Sequence, residues 1–573
     1  MVAVGGGYAL LILLVAGCAL VTRPGAVDTR QTVVAAAQRS ASPSRRRIAT
    51  WIALAAVPSG LMLSTTTHLT TDIVAVPLLW VLPLGLYLLS FVVAFAERRG
   101  IALFVTQIAP LIILISGGLA FASGSQHPLF SATLGLSLLF VIAVTLHGEM
   151  YRLRPAADRL TFFYLAMAVG GMLGGIFCAL IAPAIFDWAY EHPLLILAAA
   201  MLIPQTPLLL SLERIWESRA GRWLAFIIPA VAIALSVAMD GPRAFLSGHS
   251  ELAASIAIGL LAVFSIGRRL IYTLCLAALM LGYGGWWKLD VTLDWDTRTR
   301  SYFGIYEITL NHEKTATVLT HGTTMHGMQH RSPALRLEPT TYYAPRSGVG
   351  VVMRAGMTLY GPHGRIGVVG LGTGTLACYA VPAQQWSFFE IDPKMVQIAT
   401  RSGHFTFVPS CAPRARIVLG DARLSLAREP PAKLDILALD AFSSDAVPMH
   451  LLTREAFAIY ARALQPRGLL LVHISNRYID LAPVVAAAAQ VGGWTALQLD
   501  YQPSDAEAER LATASTWIAM SRDGAAIDRM VSAAPPGTFW FALAPRRGFA
   551  GWSDDYATIL PLLKPEGLAP FGR

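Results

Sequence analysis

The amino-terminal half of this 573-residue chain consists of apolar segments that recur along the sequence. Each has roughly 15 to 24 residues, about the length that a helix needs to cross the hydrocarbon core of a bilayer. Core helices of a soluble protein would be fewer and shorter. We therefore predict a polytopic α-helical membrane domain over residues 1–287, with about ten transmembrane helices at 5–21, 48–66, 73–96, 101–123, 127–147, 161–183, 193–210, 223–239, 252–267 and 270–287.

The charge distribution supports a lipid bilayer as partner and argues against nucleic acid. Residues 1–287 contain 17 arginines and no lysine against 11 acidic residues, whereas the rest of the chain is nearly balanced. An excess of arginine in short loops is what the topology of a membrane protein requires. The net charge of +9 therefore needs no nucleic-acid explanation.

The same arginines indicate an orientation. They fall in alternate loops, with Arg243 as the exception, and the positive-inside rule makes those loops cytoplasmic. Ten crossings would then place the carboxyl-terminal half on the opposite face, where a cell does not normally keep a nucleoside cofactor. Two alternatives remain: either 252–267 or 270–287 does not cross, or the domain works outside the cytoplasm.

A polar connection at 65–72 carries His68 and Asp72. If the last eight segments all cross, this connection and the carboxyl-terminal domain lie on the same face. Ionisable side chains beside a hydrocarbon core are unfavourable and often functional. Both residues are therefore candidates for contact with a ligand or with the catalytic domain, the alternative being an ordinary polar turn.

A glycine-rich loop marks the carboxyl-terminal half as a nucleoside-binding enzyme. The apolar run 366–369 leads into Gly370, Gly372 and Gly374, and a second apolar run ends at Glu390. Glycines between a strand and a helix let the backbone approach a cofactor closely, and an acidic residue at the end of the next strand can bind ribose hydroxyls.

Strand and helix patterns alternate through this half after a β-rich lead-in, which we place at 288–345. Strands are predicted at 366–370, 386–391, 415–419, 436–440 and 468–474, with helical patterns between them. This order predicts a Rossmann-like, parallel, doubly wound α/β sheet in a domain spanning 346–573, with ligands at the carboxyl ends of its strands.

Acidic residues follow three of these strand ends. Glu390 can accept hydrogen bonds from both ribose hydroxyls, Asp421 can accept one from an adenine amino group, and Asp440 can face the reacting centre. Together they indicate an adenosine-sulfonium cofactor. The alternative is that these carboxylates only cap the following helices.

Cysteine spacing predicts no structural metal. Cys378 and Cys411 are the only cysteines of the carboxyl-terminal half and lack metal-ligand spacing. We expect neither a disulfide framework nor a zinc site.

These motifs resemble the polyamine aminopropyltransferases, or spermidine synthases, over roughly residues 300–480. The resemblance rests on 318–322 with Gln329, the glycine loop, 389–392, 420–422 and 439–445. The whole chain is similar to a bacterial membrane-bound branch with a transporter-like helical region, through 56–61, 300–304, 326–329 and 554–556. That branch implies a multi-pass protein of the bacterial cytoplasmic membrane, with further helices before the position of Met1.

The resemblance implies transfer of the aminopropyl group of decarboxylated S-adenosylmethionine to an amine such as putrescine. Asp440 would be the general base, and the cationic polyamine would be bound by Gln329, Tyr342, Tyr343 and Asp445. The donor would be bound by Gly370, Gly372, Thr373, Gly374, Glu390, Asp421 and Ala422, without a metal.

Two departures from the family pattern keep alternatives open. Thr373 stands where soluble spermidine synthases have an aspartate that holds the donor's amine, and Asp445 lies five residues after Asp440 instead of three. Unmodified S-adenosylmethionine thus remains a candidate donor, which would suit a methyltransferase. A polyamine transporter or sensor with a non-catalytic nucleoside-binding domain is a third hypothesis. The acceptor amine and a homo-oligomeric state stay open.

Overall fold

The computed structural model describes residues 42–69, 81–121, 128–207, 210–241, 244–293, 297–322, 324–441 and 448–564. Asp72 and Asp445, the segment 5–21 and part of the segment 73–96 lie outside the described residues.

The described amino-terminal half is entirely helical. Its helices are α1 Arg45–His68, α2 Val81–Ala94, α3 Gly100–Gly118, α4 Pro128–Arg152, α5 Ala157–Ile185, α6 Glu191–Leu202, α7 Leu210–Glu217, α8 Arg219–Asp240, α9 His249–Phe264 and α10 Arg269–Leu293. Every predicted segment from 48–66 onward overlaps one of them, whereas the short α7 was not predicted. Within the described residues, α1, α3, α4, α5, α8 and α10 are long and apolar enough to cross a membrane by length and composition, and α2, α6 and α9 are shorter.

Small residues bring two of the long helices into close contact. A Cβ atom on Gly174 of α5 would lie 2.3 Å from the carbonyl oxygen of Ala56 in α1, and one on Gly170 would lie 2.5 Å from that of Ile52. Glycine at four-residue spacing removes the side chains that would keep two backbones apart. The pair α1–α5 can therefore pack at backbone distance.

The lead-in is a four-stranded antiparallel sheet, which confirms its predicted β character. Its strands are β1 Arg298–Ser301, β2 Gly304–Leu310, β3 Ala316–His321 and β4 Thr324–His330, in that spatial order. A turn follows β2, in which Asn311 Oδ1 accepts hydrogen bonds from the backbone N–H groups of Thr315 and Ala316, each at 2.8 Å. Helical structure continues past the predicted boundary at 287 to Leu293, with a kink at Tyr283 and Gly284, where the backbone dihedrals are not helical. The boundary itself stays a prediction.

The carboxyl-terminal domain is built around an eight-stranded sheet. Its strands are β5 Arg365–Val369, β6 Gln385–Glu390, β7 Arg416–Leu419, β8 Leu434–Leu439, β9 Leu464–His473, β10 Thr495–Tyr501, β11 Ser515–Ser521 and β12 Phe541–Ala542. The spatial order is β12-β10-β11-β9-β8-β5-β6-β7. The five predicted strands, β5 to β9, pair with one another in parallel, and the unpredicted β11, β10 and β12 extend the sheet beyond β9 in antiparallel fashion.

Helices cover both faces of this sheet. They are α11 Gly348–Tyr360, α12 Pro393–Arg401, α13 Phe407–Cys411, α14 Ala422–Arg428, α15 Arg454–Ala463, α16 Ala482–Gly492, α17 Asp505–Glu509 and α18 Gly524–Ser532. One apolar core lies under α14, α15 and α16, and a second lies under α11, α12 and α18. The chain turns to opposite sides from the adjacent strands β5 and β8, so their carboxyl ends form the crevice in which such sheets bind ligands.

Two buried arginines of β1 join the lead-in to the helical half. Arg300 makes a two-pronged ion pair with Glu191 at the start of α6, at 2.9 and 2.7 Å, and both side chains are almost fully buried. Arg298 is completely buried and contacts Asp187 at 2.8 Å and Glu307 of β2 at 3.4 Å. Paired guanidinium and carboxylate groups of this kind fix orientation through parallel hydrogen bonds.

One disulfide links Cys378, just after the glycine loop, to Cys411 at the end of α13. The two cysteines are 33 residues apart in sequence, and their Cα atoms lie 4.8 Å apart. The expectation that these cysteines take part in no disulfide is wrong. Cysteine spacing carries no signal of the packing of α13 on the glycine loop, which brings the two thiols together.

Removing one member of the Arg300–Glu191 pair is expected to destabilise the protein strongly. Arg300→Met leaves the Glu191 carboxylate buried and unpaired, which costs on the order of 3–5 kcal/mol. The matched double variant Arg300→Met/Glu191→Met should recover most of that loss. Thermal unfolding of the full chain in detergent measures both, and additive losses in the double variant would contradict a coupled pair.

Candidate active site

The glycine loop packs directly on the end of β8. Gly370, Gly372 and Gly374 have φ values of 90°, 53° and 82°, in the left-handed region that glycine adopts without strain. A Cβ atom on Gly370 would lie only 2.1 Å from the carbonyl oxygen of Asp440. The loop thus brings its own backbone and Asp440 to one corner of the crevice.

Glu390 ends β6 with its carboxylate buried below this loop. Its oxygens accept hydrogen bonds from the backbone N–H groups of Leu371 and Asp392, each at 2.9 Å. Burial raises the pKa of Glu390, and these backbone hydrogen bonds oppose the rise. Each oxygen keeps a further lone pair, so the carboxylate can still accept hydrogen bonds from a ligand diol.

The two carboxylate oxygens of Asp421 have different partners. Its Oδ1 caps α14 by accepting the N–H of Leu424 at 2.8 Å, and its Oδ2 lies 3.1 Å from Nε2 of His450. The helix-capping alternative is therefore present at Asp421, although it uses only one oxygen. The following residue, Ala422, is buried at the first position of α14.

Asp440 directly follows β8 and borders a cavity that is partly open to solvent. This cavity has a volume of about 70 Å³. The Asp440 carboxylate is only 6% exposed and accepts hydrogen bonds at both oxygens. Tyr343 donates its hydroxyl proton to Oδ2, and Nδ1 of His473 lies 2.7 Å from Oδ1. The predicted Tyr342, Tyr343 and Asp440 are thus brought together at the cavity wall.

Burial first, and the Asp440 charge second, raises the pKa of Tyr342 and Tyr343. Both phenols therefore stay protonated at neutral pH. The Tyr343 hydroxyl can then donate to Asp440, which is the direction that the geometry requires.

Gln329 does not reach the cavity. Its side chain is 2% exposed and binds Thr406 at the start of α13 through both amide atoms, at 2.9 and 3.0 Å, and the carbonyl of Arg336 at 2.9 Å. These contacts hold β4 against α13 and engage both amide atoms of Gln329. A role of Gln329 in substrate binding stays a prediction.

Thr373 also points away from the cavity. Its side chain is fully buried, and its hydroxyl lies 2.9 Å from that of Thr375. A Cβ atom on Gly327 of β4 would lie 2.3 Å from Thr373 Oγ1. The lead-in sheet therefore covers position 373, where soluble spermidine synthases have an aspartate. The predicted partner Asp445 lies outside the described residues.

Two side chains of β4 that were not predicted face the cavity with unsatisfied polar atoms. Neither Nε2 of His326 nor Oγ1 of Thr324 has a hydrogen-bond partner within the described part of the chain, and both atoms are buried. Burial, with a smaller contribution from His321, lowers the pKa of His326 to about 4. A neutral imidazole can bind a ligand by hydrogen bonding but supplies no charge.

His473 is the most informative residue that the sequence analysis missed. It is the last residue of β9 and, like Asp440, stands at the carboxyl edge of the parallel sheet. A pattern of acidic residues at strand ends does not include His473, whereas a pattern of ionisable residues at strand ends does. Ser475 and Asn476, which also border the cavity, follow the same strand.

One stretch of this chain matches a protein of known activity. Over 114 residues it is 35% identical to the polyamine aminopropyltransferase of Vibrio vulnificus (strain CMCP6). This stretch resembles a polyamine aminopropyltransferase. The match spans 37% of that relative's length and 19% of this chain, and no protein-family model matches. The family resemblance predicted from the motifs is confirmed at this level.

Solved structures with similarity to the chain include two spermidine synthases. A probable spermidine synthase from Corynebacterium glutamicum ATCC 13032 is 17% identical, with a TM-score of 0.36, over 46% of this chain and 97% of that one. Spermidine synthase from Thermotoga maritima is 14% identical, with a TM-score of 0.30, over 42% and 75%.

Substituting Gly370 is expected to disrupt the contact between the glycine loop and Asp440 at the end of β8. Gly370→Ala puts a Cβ against the Asp440 carbonyl and adds the strain of a positive φ, which together should cost more than the roughly 1–2 kcal/mol of the conformational term alone. Gly403→Ala is the control, because Gly403 has a similar φ of 77° but no atom within 4 Å of a Cβ. Chemical unfolding in detergent measures both, and equal losses would refute the contact.

Proposed function

We propose that this protein is a membrane-bound aminopropyltransferase. It transfers the aminopropyl group of decarboxylated S-adenosylmethionine to an amine such as putrescine. The observation that carries the proposal is the Asp440 carboxylate, buried at the end of β8, hydrogen-bonded to Tyr343 and bordering a partly open cavity beside the glycine loop. The match to a polyamine aminopropyltransferase supports the same reaction.

The donor fits the crevice formed by the ends of β5, β6 and β7. Glu390 accepts the ribose hydroxyls with its free lone pairs, and Asp421 Oδ2 faces the adenine amino group. Three apolar side chains that follow or flank these acids are exposed, namely Ile391, Leu419 and Leu424. An exposed apolar surface next to hydrogen-bonding groups suits a planar base.

The reaction asks the protein for alignment and for proton removal. The amine nitrogen forms a bond to the terminal aminopropyl carbon as the carbon–sulfur bond breaks, and methylthioadenosine leaves with the electron pair. The sulfonium is already a good leaving group, so holding both reactants in line provides most of the acceleration. Asp440 attracts the cationic amine and takes the proton that the attacking nitrogen must lose.

A methyltransferase is the second candidate function, and the observation that favours it is the placement of Thr373. The buried threonine supplies no carboxylate for the donor amine, while His326 and Thr324 offer uncharged hydrogen-bonding atoms at the cavity wall. Unmodified S-adenosylmethionine, with its additional carboxylate, would meet no fixed negative charge at that position. Its methyl group would then be the one transferred.

Substituting Asp440 tests the base and the reaction together. Wild-type protein incubated with putrescine and decarboxylated S-adenosylmethionine should give a product heavier by one aminopropyl group in the mass spectrum. Asp440→Asn should lower the rate by on the order of 10²–10⁴-fold, the usual contribution of a general base, with donor binding retained by calorimetry.

A methyl gain with unmodified S-adenosylmethionine would instead identify a methyltransferase. Turnover retained in Asp440→Asn would exclude Asp440 as the base. Donor binding without any product would leave the transporter or sensor hypothesis.

We further propose that the chain lies in the bacterial cytoplasmic membrane with its catalytic domain on the extracytoplasmic face. The helix ends nearest the catalytic domain carry His68, Glu191 and Asp240. The rings of His68 and His192 stack with centroids 5.0 Å apart, and the Asp240 carboxylate accepts the backbone N–H of Trp287 at 3.1 Å. The arginines gather at the other ends, where Arg47 binds the carbonyl of Leu153 at 3.0 Å. Loops rich in arginine remain in the cytoplasm.

The Cys378–Cys411 disulfide supports the same orientation independently. Disulfides persist in oxidising compartments such as the bacterial periplasm and are rare in the cytosol. The arginine-rich loops and the disulfide therefore both favour the extracytoplasmic face for the catalytic domain. On that face the donor must reach the site from outside or be carried across the membrane.

Reporter fusions test this orientation. Green fluorescent protein, which folds poorly when exported, should stay dark at the carboxyl terminus of the full chain and fluoresce when fused after Arg269, at the arginine-rich ends. Alkaline phosphatase should show the opposite pattern. Fluorescence at the carboxyl terminus, with intact protein in the membrane, would place the catalytic domain in the cytoplasm.

A further inference from the structure

His473 makes a direct contact with the proposed base. Its Nδ1 lies 2.7 Å from Oδ1 of Asp440, and the two side chains are 7% and 6% exposed. Tyr343 occupies the other carboxylate oxygen. The orientation of the Asp440 carboxylate is therefore set by two donors that come from different elements, the lead-in segment and β9.

The contact made by the second imidazole nitrogen, Nε2, indicates which ring nitrogen of His473 carries the proton. Nε2 lies 2.8 Å from the hydroxyl of Ser475, and that hydroxyl accepts the backbone N–H of Thr516 at 2.8 Å. The Ser475 hydroxyl can donate its own proton to Nε2, which leaves the ring proton on Nδ1. An Nδ1–H group donates to Asp440, so the two contacts agree on one tautomer.

Two aromatic side chains hold the imidazole plane. Tyr342 stacks on one face with ring centroids 4.8 Å apart, and Trp517 stacks on the other at 4.6 Å. Trp517 is itself fixed by a hydrogen bond from Nε1 to the carbonyl of Tyr342 at 3.3 Å. The imidazole is therefore fixed between its two neighbours, and so is the direction of its N–H.

We propose that His473 is a positioning residue for Asp440. Its Nδ1–H holds the carboxylate so that the remaining lone pairs face the cavity where the acceptor amine enters. The inference rests on the proposed role of Asp440 as base. It predicts an effect on the chemical step and none on donor binding, because Glu390 and Asp421 lie at other strand ends.

Two substitutions separate the hydrogen bond from the packing. His473→Phe keeps a flat ring between Tyr342 and Trp517 but removes the N–H. His473→Asn loses the ring but keeps an N–H donor near the position of Nδ1. We expect kcat to fall on the order of 10- to 100-fold in the phenylalanine variant, as for the loss of a hydrogen bond to a charged group, with donor affinity unchanged. The asparagine variant should recover most of that loss.

The opposite order of the two variants, or an equal loss in both, would overturn the inference in favour of packing. Absence of aminopropyl transfer by the wild-type protein would contradict the proposed function instead. The hydrogen bond is then read without turnover from the ¹⁵N spectrum of histidine-labelled protein, with the His473 signal identified by its loss in His473→Phe. A proton on Nδ1 that responds to Asp440→Asn supports the inference, and a proton on Nε2 overturns it.

Discussion

The contact between the glycine loop and the end of β8 is the constraint on which the candidate site depends. Gly370 lies so close to the Asp440 carbonyl that no side chain fits between them. This contact places the glycine loop and a buried carboxylate within one crevice. It exists because β5 and β8 are neighbours in the sheet although they are far apart in sequence, which is the arrangement that creates a ligand site in a doubly wound fold.

A continuous set of polar contacts links this crevice to the helical half. Glu191 binds Arg300, and the next residue, Ser301, donates to Asp392 at 2.5 Å. The N–H of Asp392 in turn donates to Glu390, the carboxylate that we propose binds the donor ribose. The lead-in sheet therefore connects the helical domain and the proposed donor site through buried charged groups. Its strand β4, together with Tyr342 and Tyr343, also lines the cavity.

Most of the framework of the candidate site was predictable because it depends on local sequence. Strand periodicity, the three glycines and the acids at strand ends located Gly370, Glu390, Asp421 and Asp440 correctly at one edge of the sheet. The contacts of Gln329 were not predictable, since nothing in the sequence shows that α13 lies beside β4 and that Thr406 engages the Gln329 amide. His473 was missed because its relation to Asp440 depends on the pairing of β8 with β9.

The sequence by itself determined the division into an apolar helical half and a Rossmann-like half, because hydrophobic length and strand–helix alternation are properties of short segments. It also determined which residues end the parallel strands. Only the tertiary structure decided the partners of those residues: His473 and Tyr343 on Asp440, Arg300 on Glu191, and Cys378 with Cys411. Each of these contacts joins residues distant in the chain, and their distances are set by packing, which no local pattern encodes.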